Sequence, residues 1–410
     1  MLKRLFKSTF LFAFIGILSC GNQNKKEQSS EEIAINNQDK TAVKDIILAA
    51  NRTEAYLPML KGKRVGIVGN QTSIMKNEAG EFSHVVDSLL ALEENLVKGF
   101  APEHGFRGTA DAGEAVDDGK DAQTGLPVIS LYGDNKKPKA AQLKDLDVLI
   151  FDLQDVGTRF YTYISSLHYV MEACAENDVQ LIVFDRPNPN GHYIDGPILE
   201  TEFKSFVGMH PIPTVHGLTM GEYAKMINGE KWLKDGIQCD LEVIEMENYD
   251  HSKAYDLPVK PSPNLPNAQA INLYPSLCFF EGTNVNAGRG TDKQFQVFGS
   301  PFLDKNYFDF TYTPESKPGA KSPKHLGKEC YGRDLSEIAR VDQINLEWLI
   351  EAYQNTANKD EFFNAFFTKL AGTKELQTQI EAGLSAEEIR DSWQQGLENF
   401  EVKRKQYLIY

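Results

Sequence analysis

The chain has 410 residues, a formal net charge of −15 at pH 7 and a hydrophobic fraction of 41%, with a pI near 5.1. So acidic a surface repels phosphate backbones and anionic headgroups, which excludes nucleic acid as a partner and excludes charge-driven docking on lipid. The length exceeds what one small domain uses, so two lobes are expected.

The first segment reads as an export signal. Lys3, Arg4 and Lys7 make a basic start, and residues 10–18 form an apolar run too short to span a bilayer. The run ends in Leu18-Ser19-Cys20-Gly21, which resembles a bacterial lipobox, although Leu18 stands where a smaller residue is usual. The expectation is cleavage before Cys20, with a diacylglyceryl chain on its sulfur. That lipid would hold the protein on a membrane of the cell envelope facing the periplasm, the outer one being favoured. An ordinary secretory signal with an incidental cysteine is the alternative. Residues 20–40 are rich in Asn, Gln, Lys, Glu and Ser and cannot bury enough apolar surface to offset chain entropy, so they read as a flexible tether.

Residues 41–260 alternate apolar strands with helical patterns. Strands are predicted over 64–68, 96–101, 128–131, 146–151 and 180–184, and helices over 85–92, 163–175 and 219–228. Thr219 with Glu222 three residues on has capping-box spacing. Continuous apolar strands separated by helices mean a parallel sheet covered on both faces. The predicted class is therefore α/β: a Rossmann-like doubly wound lobe, with residues 261–410 forming a smaller α+β auxiliary lobe that ends in helices over 345–353, 361–370 and 386–407. No GxGxxG follows the first strand and no GxxxxGK[ST] occurs, so nucleotide binding is disfavoured. Cys174, Cys239, Cys278 and Cys330 lack CxxC spacing, which disfavours zinc and points to buried thiols.

In open parallel sheets ligands sit beyond the carboxyl ends of the strands, so the residues that follow each strand are the candidates. Asn70 follows the first strand. Glu103, His104 and Arg107 follow the second, in a loop stiffened by Pro102 and two glycines. Asp152, Asp155, Arg159, Tyr161 and Tyr163 follow the strand at 146–151, and Asp185, Asn188 and Asn190 the next. His216 precedes a helix, Glu281 follows apolar Cys278-Phe279-Phe280 and reads as another strand-end carboxylate, and Asn284 and Arg289 lie in a Gly-rich loop suited to an anion. Together these describe a polar, aromatic-lined cleft suited to a sugar. Plainer roles stand beside them: an Arg107–Glu103 ion pair in a tight turn, Asp152 and Asp185 capping turns, Asn188 and Asn190 shaping a Pro-Asn turn, Arg159 pairing with Asp152 or Asp155, and His216 as a capping or core histidine.

Several runs occur in fixed order: APEHGFRG (101–108), TGLPVISLYG (124–133), FDLQDVGTRFYTYI (151–164), DRPNPNG (185–191), HGLTMGE (216–222), PSPNLP (261–266), EGTNVNAGRGT (281–291) and the final YLIY (407–410). In these the chain, from about residue 43 onward, resembles the bacterial exo-β-N-acetylmuramidases, the NamZ-like glycoside hydrolases long known only as a domain of unknown function. The resemblance implies release of N-acetylmuramic acid from the non-reducing ends of peptidoglycan fragments, an active-site cleft between the two lobes, and no cofactor. It places the family glutamate on Glu103 as candidate general acid, with His104 or Arg107 tuning it. Its partner stays open among Asp152, Asp155, Glu222 and Glu281, or the substrate's own 2-acetamido group. The lactyl carboxylate of muramic acid calls for a cation, and Arg159 and Arg289 are the candidates. Two rival readings are a lipid-tethered, non-catalytic glycan-binding protein and a metal-dependent hydrolase using His104, Asp152, Asp155 and His216. The chain has no HExxH motif to support the latter.

Overall fold

The computed structural model describes residues 44–77, 79–103, 105–107 and 118–410. Cys20, His104 and the expected tether lie outside the described residues. Strands β1 (Val65–Gly69), β2 (Ile74–Lys76), β3 (Phe82–His84), β4 (Leu96–Ala101), β5 (Gly119–Lys120), β6 (Pro127–Ser130), β7 (Val148–Asp152), β8 (Gln180–Phe184) and β9 (Leu241–Ile244) fill the first part. Seven of them form one sheet in the order β5-β6-β4-β1-β7-β8-β9. Every neighbouring pair is parallel except the β5–β6 edge. Without β5, and counted in chain order, the strands run 3-2-1-4-5-6, the Rossmann order, with its topological switch between β1 and β7.

All five residues of β7 are buried because both faces of the sheet are covered. Val148 and Ile150 join Tyr56 and Leu60 of α1 (Thr53–Leu60) and Val86 and Leu89 of α2 (Val85–Ala91) in one core. Leu149 and Phe151 join the other core, with Leu143 of α3 (Ala140–Leu143), Leu167 and Met171 of α4 (Tyr163–Glu176) and Tyr223 of α5 (Met220–Gly229). Thr219 caps α5 by accepting from the Glu222 amide, and Glu222 returns the bond, so the predicted capping box is real.

The second part holds α6 (Ala268–Leu277), an antiparallel sheet in the order β10-β12-β11 (Val297–Ser300, Cys330–Asp334, Phe310–Tyr312), and helices α7 (Glu347–Gln354), α8 (Phe367–Ala371), α9 (Glu375–Glu381) and α10 (Ala386–Arg404). This part differs from the sequence reading at several elements, α9 and the three strands among them. Cys278-Phe279-Phe280 opens a 3-10 turn that prolongs α6, so Glu281 stands at a helical end and not at a strand end. Only the last part of 361–370 is helical. Its first part bonds to the loop at 282–284 instead, Asn284 N–H donating to the Phe362 carbonyl and Asn364 N–H to that of Gly282. Helix α6 itself was hidden by Pro275 within it. The four described cysteines are buried free thiols.

Candidate active site

Beyond β4 and β7, on either side of β1, the chain encloses a cavity of about 210 Å³. Glu103 enters from the end of β4. Tyr161 and Thr162 enter from the segment between β7 and α4, and Tyr163 from the first position of α4. Glu281 and Arg289 face the same space from the part after residue 261. The apolar wall is an edge-to-face aromatic stack: Phe160 against Tyr274 at 5.3 Å, Tyr161 against Tyr163 at 4.8 Å and Tyr274 against Phe295 at 4.9 Å between ring centres. Such a box offers flat apolar faces for a pyranose ring, with carboxylates and a cation at its rim.

Glu103 is held by hydroxyls. Its Oε1 accepts from Tyr132 and its Oε2 from Thr162, each at 3.3 Å. Burial, and secondarily the Glu103 carboxylate, push the Tyr132 phenol up to about 12, so it stays a donor at neutral pH. Asn70 does not line the cavity. Its Nδ2 donates to the Tyr163 hydroxyl at 2.7 Å while Oδ1 accepts from Thr72, which fixes the tyrosine across the switch point. Glu281 Oε2 lies 3.5 Å from Arg289 Nη1.

Several candidates lie elsewhere. Asp152 is fully buried in a two-point ion pair with Arg186, at 2.5 and 2.8 Å. Asp155 accepts from Gly157 N–H and sits 3.5 Å from His216 Nε2, and neither side chain lines the cavity. Glu222 accepts from Thr219 N–H, from Ile409 N–H and, at 2.9 Å, pairs with His251, so it holds residues 409–410 in place and does not line this cavity. Arg159 is fully buried and, among the described residues, pairs with no carboxylate. Its Nη1 donates to the carbonyls of Pro197 and Ile212, and its Nη2 to those of Leu370 and Ala371 at the end of α8. It is a staple, not a clamp for substrate. Asn284 lies behind the wall, its carbonyl accepting from Ser300 and His325. Asn188 and Asn190 bond backbone carbonyls, as their turn suggested. Among the described residues no group of three His, Cys, Asp or Glu side chains is placed to hold a metal ion.

Two family models match the chain one after the other across these elements: exo-beta-N-acetylmuramidase NamZ, N-terminal, over residues 65–269, and its C-terminal counterpart over residues 272–410. The chain belongs to the NamZ family. A Bacillus subtilis (strain 168) member, peptidoglycan beta-N-acetylmuramidase NamZ, is 41% identical over 381 residues, covering 87% of this chain and 89% of that protein. Two Bacteroides fragilis proteins of the DUF1343 family have crystal structures with this fold. One has a TM-score of 0.83 at 47% identity, covering 90% of this chain and 99% of the other. The second has a TM-score of 0.72 at 28% identity, covering 89% and 99%.

On this NamZ-family chain the loop bearing Glu103 is anchored from below. Arg107 turns away from the cavity and makes two-point pairs with Asp87 of α2 and with Asp121, the closest contact being 2.6 Å. The Arg107 hydrogen bonds hold the Asp121 carboxyl well below the usual carboxylate range. A depressed carboxyl pKa gives stability that is present above the unfolded value and is lost as pH falls toward the folded one. Arg107→Met should therefore cost about 1–2 kcal/mol near neutral pH for this partly exposed network. The deficit should shrink in acid, as read by denaturant unfolding at both pH values. Sequence reasoning missed Tyr132, Thr162, Asn264, Tyr274 and Phe295, all near or on the wall. Tyr132, Thr162 and Asn264 lie within the ordered sequence runs, and that membership is the signal the sequence offers for them, since Tyr132 and Thr162 stand 29 and 59 positions from Glu103.

Proposed function

We propose that this chain is an exo-β-N-acetylmuramidase that removes N-acetylmuramic acid from the non-reducing ends of peptidoglycan fragments, with Glu103 as general acid. The observation that carries the assignment is that Glu103 and Glu281 share one aromatic-walled cavity, while Asp152, Asp155 and Glu222 are engaged elsewhere. Protonated Glu103 gives its proton to the departing glycosidic oxygen as the C1–O bond breaks. Water supplies the hydroxyl that ends on C1 and the proton that restores Glu103, with Glu281 as the second carboxyl, acting on the anomeric centre or on the 2-acetamido group beside it. Arg289, on the same wall, meets the lactyl carboxylate, a role that the buried staple Arg159 cannot take.

The test is turnover of a chromogenic N-acetylmuraminide and of a muramic-acid-terminated disaccharide, with free N-acetylmuramic acid as product. Arg289→Met should raise KM for the muraminide about 10- to 100-fold, the range for losing a hydrogen bond to a charged group. It should narrow the preference over the matching N-acetylglucosaminide. Calorimetric binding of muropeptides with no turnover by the wild type would return the chain to the glycan-binding reading. The proposal includes a lipid anchor on Cys20, supported by the lipobox-like Ser19-Cys20-Gly21. Protein from cells should carry the diacylglyceryl mass and sediment with membranes, and Cys20→Ser should abolish both.

A further inference from the structure

One backbone carbonyl organises the wall opposite Glu103. Residues 317–320 form a tight turn in which Ala320 N–H donates to the Lys317 carbonyl at 2.9 Å. Pro318 and then Gly319, at φ +84°, occupy its central positions, as a type II turn requires. The Gly319 carbonyl accepts from Asn264 Nδ2 at 2.8 Å and from Arg289 Nη2 at 3.2 Å. A Cβ at residue 319 would come within 2.6 Å of the Pro263 Cβ, so the turn sits flush against the segment that carries Asn264.

This arrangement leaves two polar atoms over. Asn264 is 4% exposed and lines the cavity, yet its Oδ1 is buried without a hydrogen-bond partner, as is Arg289 Nε beside it. The amide cannot turn over to relieve this, because its oxygen would then face the Gly319 carbonyl. A buried acceptor left unmet costs about 1–3 kcal/mol, and a ligand that brings a donor recovers it. Asn264 Oδ1 can only accept, so its best match is a group that can only donate, and an amide N–H is one. Muramic acid carries its acetamido group at C2 and its lactyl ether at C3, on adjacent ring carbons. Asn264 and Arg289 are likewise adjacent, joined through one carbonyl.

We propose that Asn264 is the specificity-determining residue that accepts the N–H of the substrate's 2-acetamido group, with the Gly319 carbonyl as its positioning partner. This rests on the muramidase reading and on Arg289 meeting the lactyl carboxylate. The experiment measures competitive inhibition of chromogenic turnover by N-acetylmuramic acid and by its 2-O-acetyl ester analogue, in which an oxygen replaces the N–H. Wild type should bind the amide about 10- to 100-fold more tightly than the ester, and in Asn264→Ala the ratio should fall to about one by losing amide affinity. Equal inhibition of wild type by the two sugars overturns the assignment, and this needs no variant to fold. So does an Asn264→Ala enzyme that keeps the full ratio. Absence of wild-type turnover overturns the muramidase reading instead, and the proposal with it.

Discussion

Glu103→Gln should leave a folded protein that has lost about 10²- to 10⁴-fold in kcat on a natural disaccharide, the usual contribution of a general acid. The amide keeps the shape of the carboxyl: its oxygen can still accept from one of the Tyr132 and Thr162 hydroxyls while its NH2 donates to the oxygen of the other, so KM should change little. What it cannot do is give up a proton. The loss should therefore depend on the leaving group. A nitrophenolate departs with little help, so the chromogenic substrate should suffer clearly less than the disaccharide, whose alkoxide needs protonation. The measurement is kcat for both substrates in both proteins. Equal losses would assign Glu103 a role other than acid, and undiminished kcat on the disaccharide would remove it from the chemistry.

The largest effect on stability is expected at Arg159. Replacing it by methionine keeps much of the volume but strips donors from four carbonyls, those of Pro197, Ile212, Leu370 and Ala371, in a region closed to water. Leaving buried carbonyls without a donor costs about 1–3 kcal/mol each, offset in part because methionine no longer buries an unpaired charge. Lysine should recover only a small part, because a single ammonium cannot span the fork that guanidinium fills. Denaturant midpoints for the three proteins decide the matter, and a methionine variant as stable as wild type would show that the staple is dispensable. Gly372, at φ +74° directly after α8, fits the same junction: a Cβ there would come within 2.7 Å of Arg159 Nη2.

Arg159 also shows where sequence stopped being informative. Placed a few residues after Asp152 and Asp155, it reads locally as their ion-pair partner or as a cation for substrate. Its true partners are main-chain carbonyls up to 212 positions away, and a carbonyl leaves no mark in a sequence. Glu222 repeats the point. Its capping role was visible in the Thr219 spacing, whereas its contacts with His251 and residues 409–410 are long-range. The strands were legible because burial on both faces forces continuous apolar runs, as in β7 and β8. Loops beyond parallel strand ends converge, which is why Glu103, Tyr161 and Tyr163, each just after a strand in the sequence, line one cavity. Glu281 and Arg289 came from their motif, although Glu281 was expected after a strand and follows helical chain. Asn264, Tyr274 and Phe295 were not found, because the proline pattern around them concealed α6, and tertiary packing overrode local propensity there.

The wall of the cavity draws on positions from Glu103 to Leu370. No short stretch of chain can assemble it, and its closure must wait for contacts between residues hundreds of positions apart, which form late and slowly. Catalytic competence therefore reports on the integrity of nearly the whole polypeptide. A sugar held there binds only the finished molecule, so it draws the folding equilibrium toward that state by mass action. Occupancy of the cavity and stability of the fold are in this way thermodynamically linked, with no second site needed to connect them.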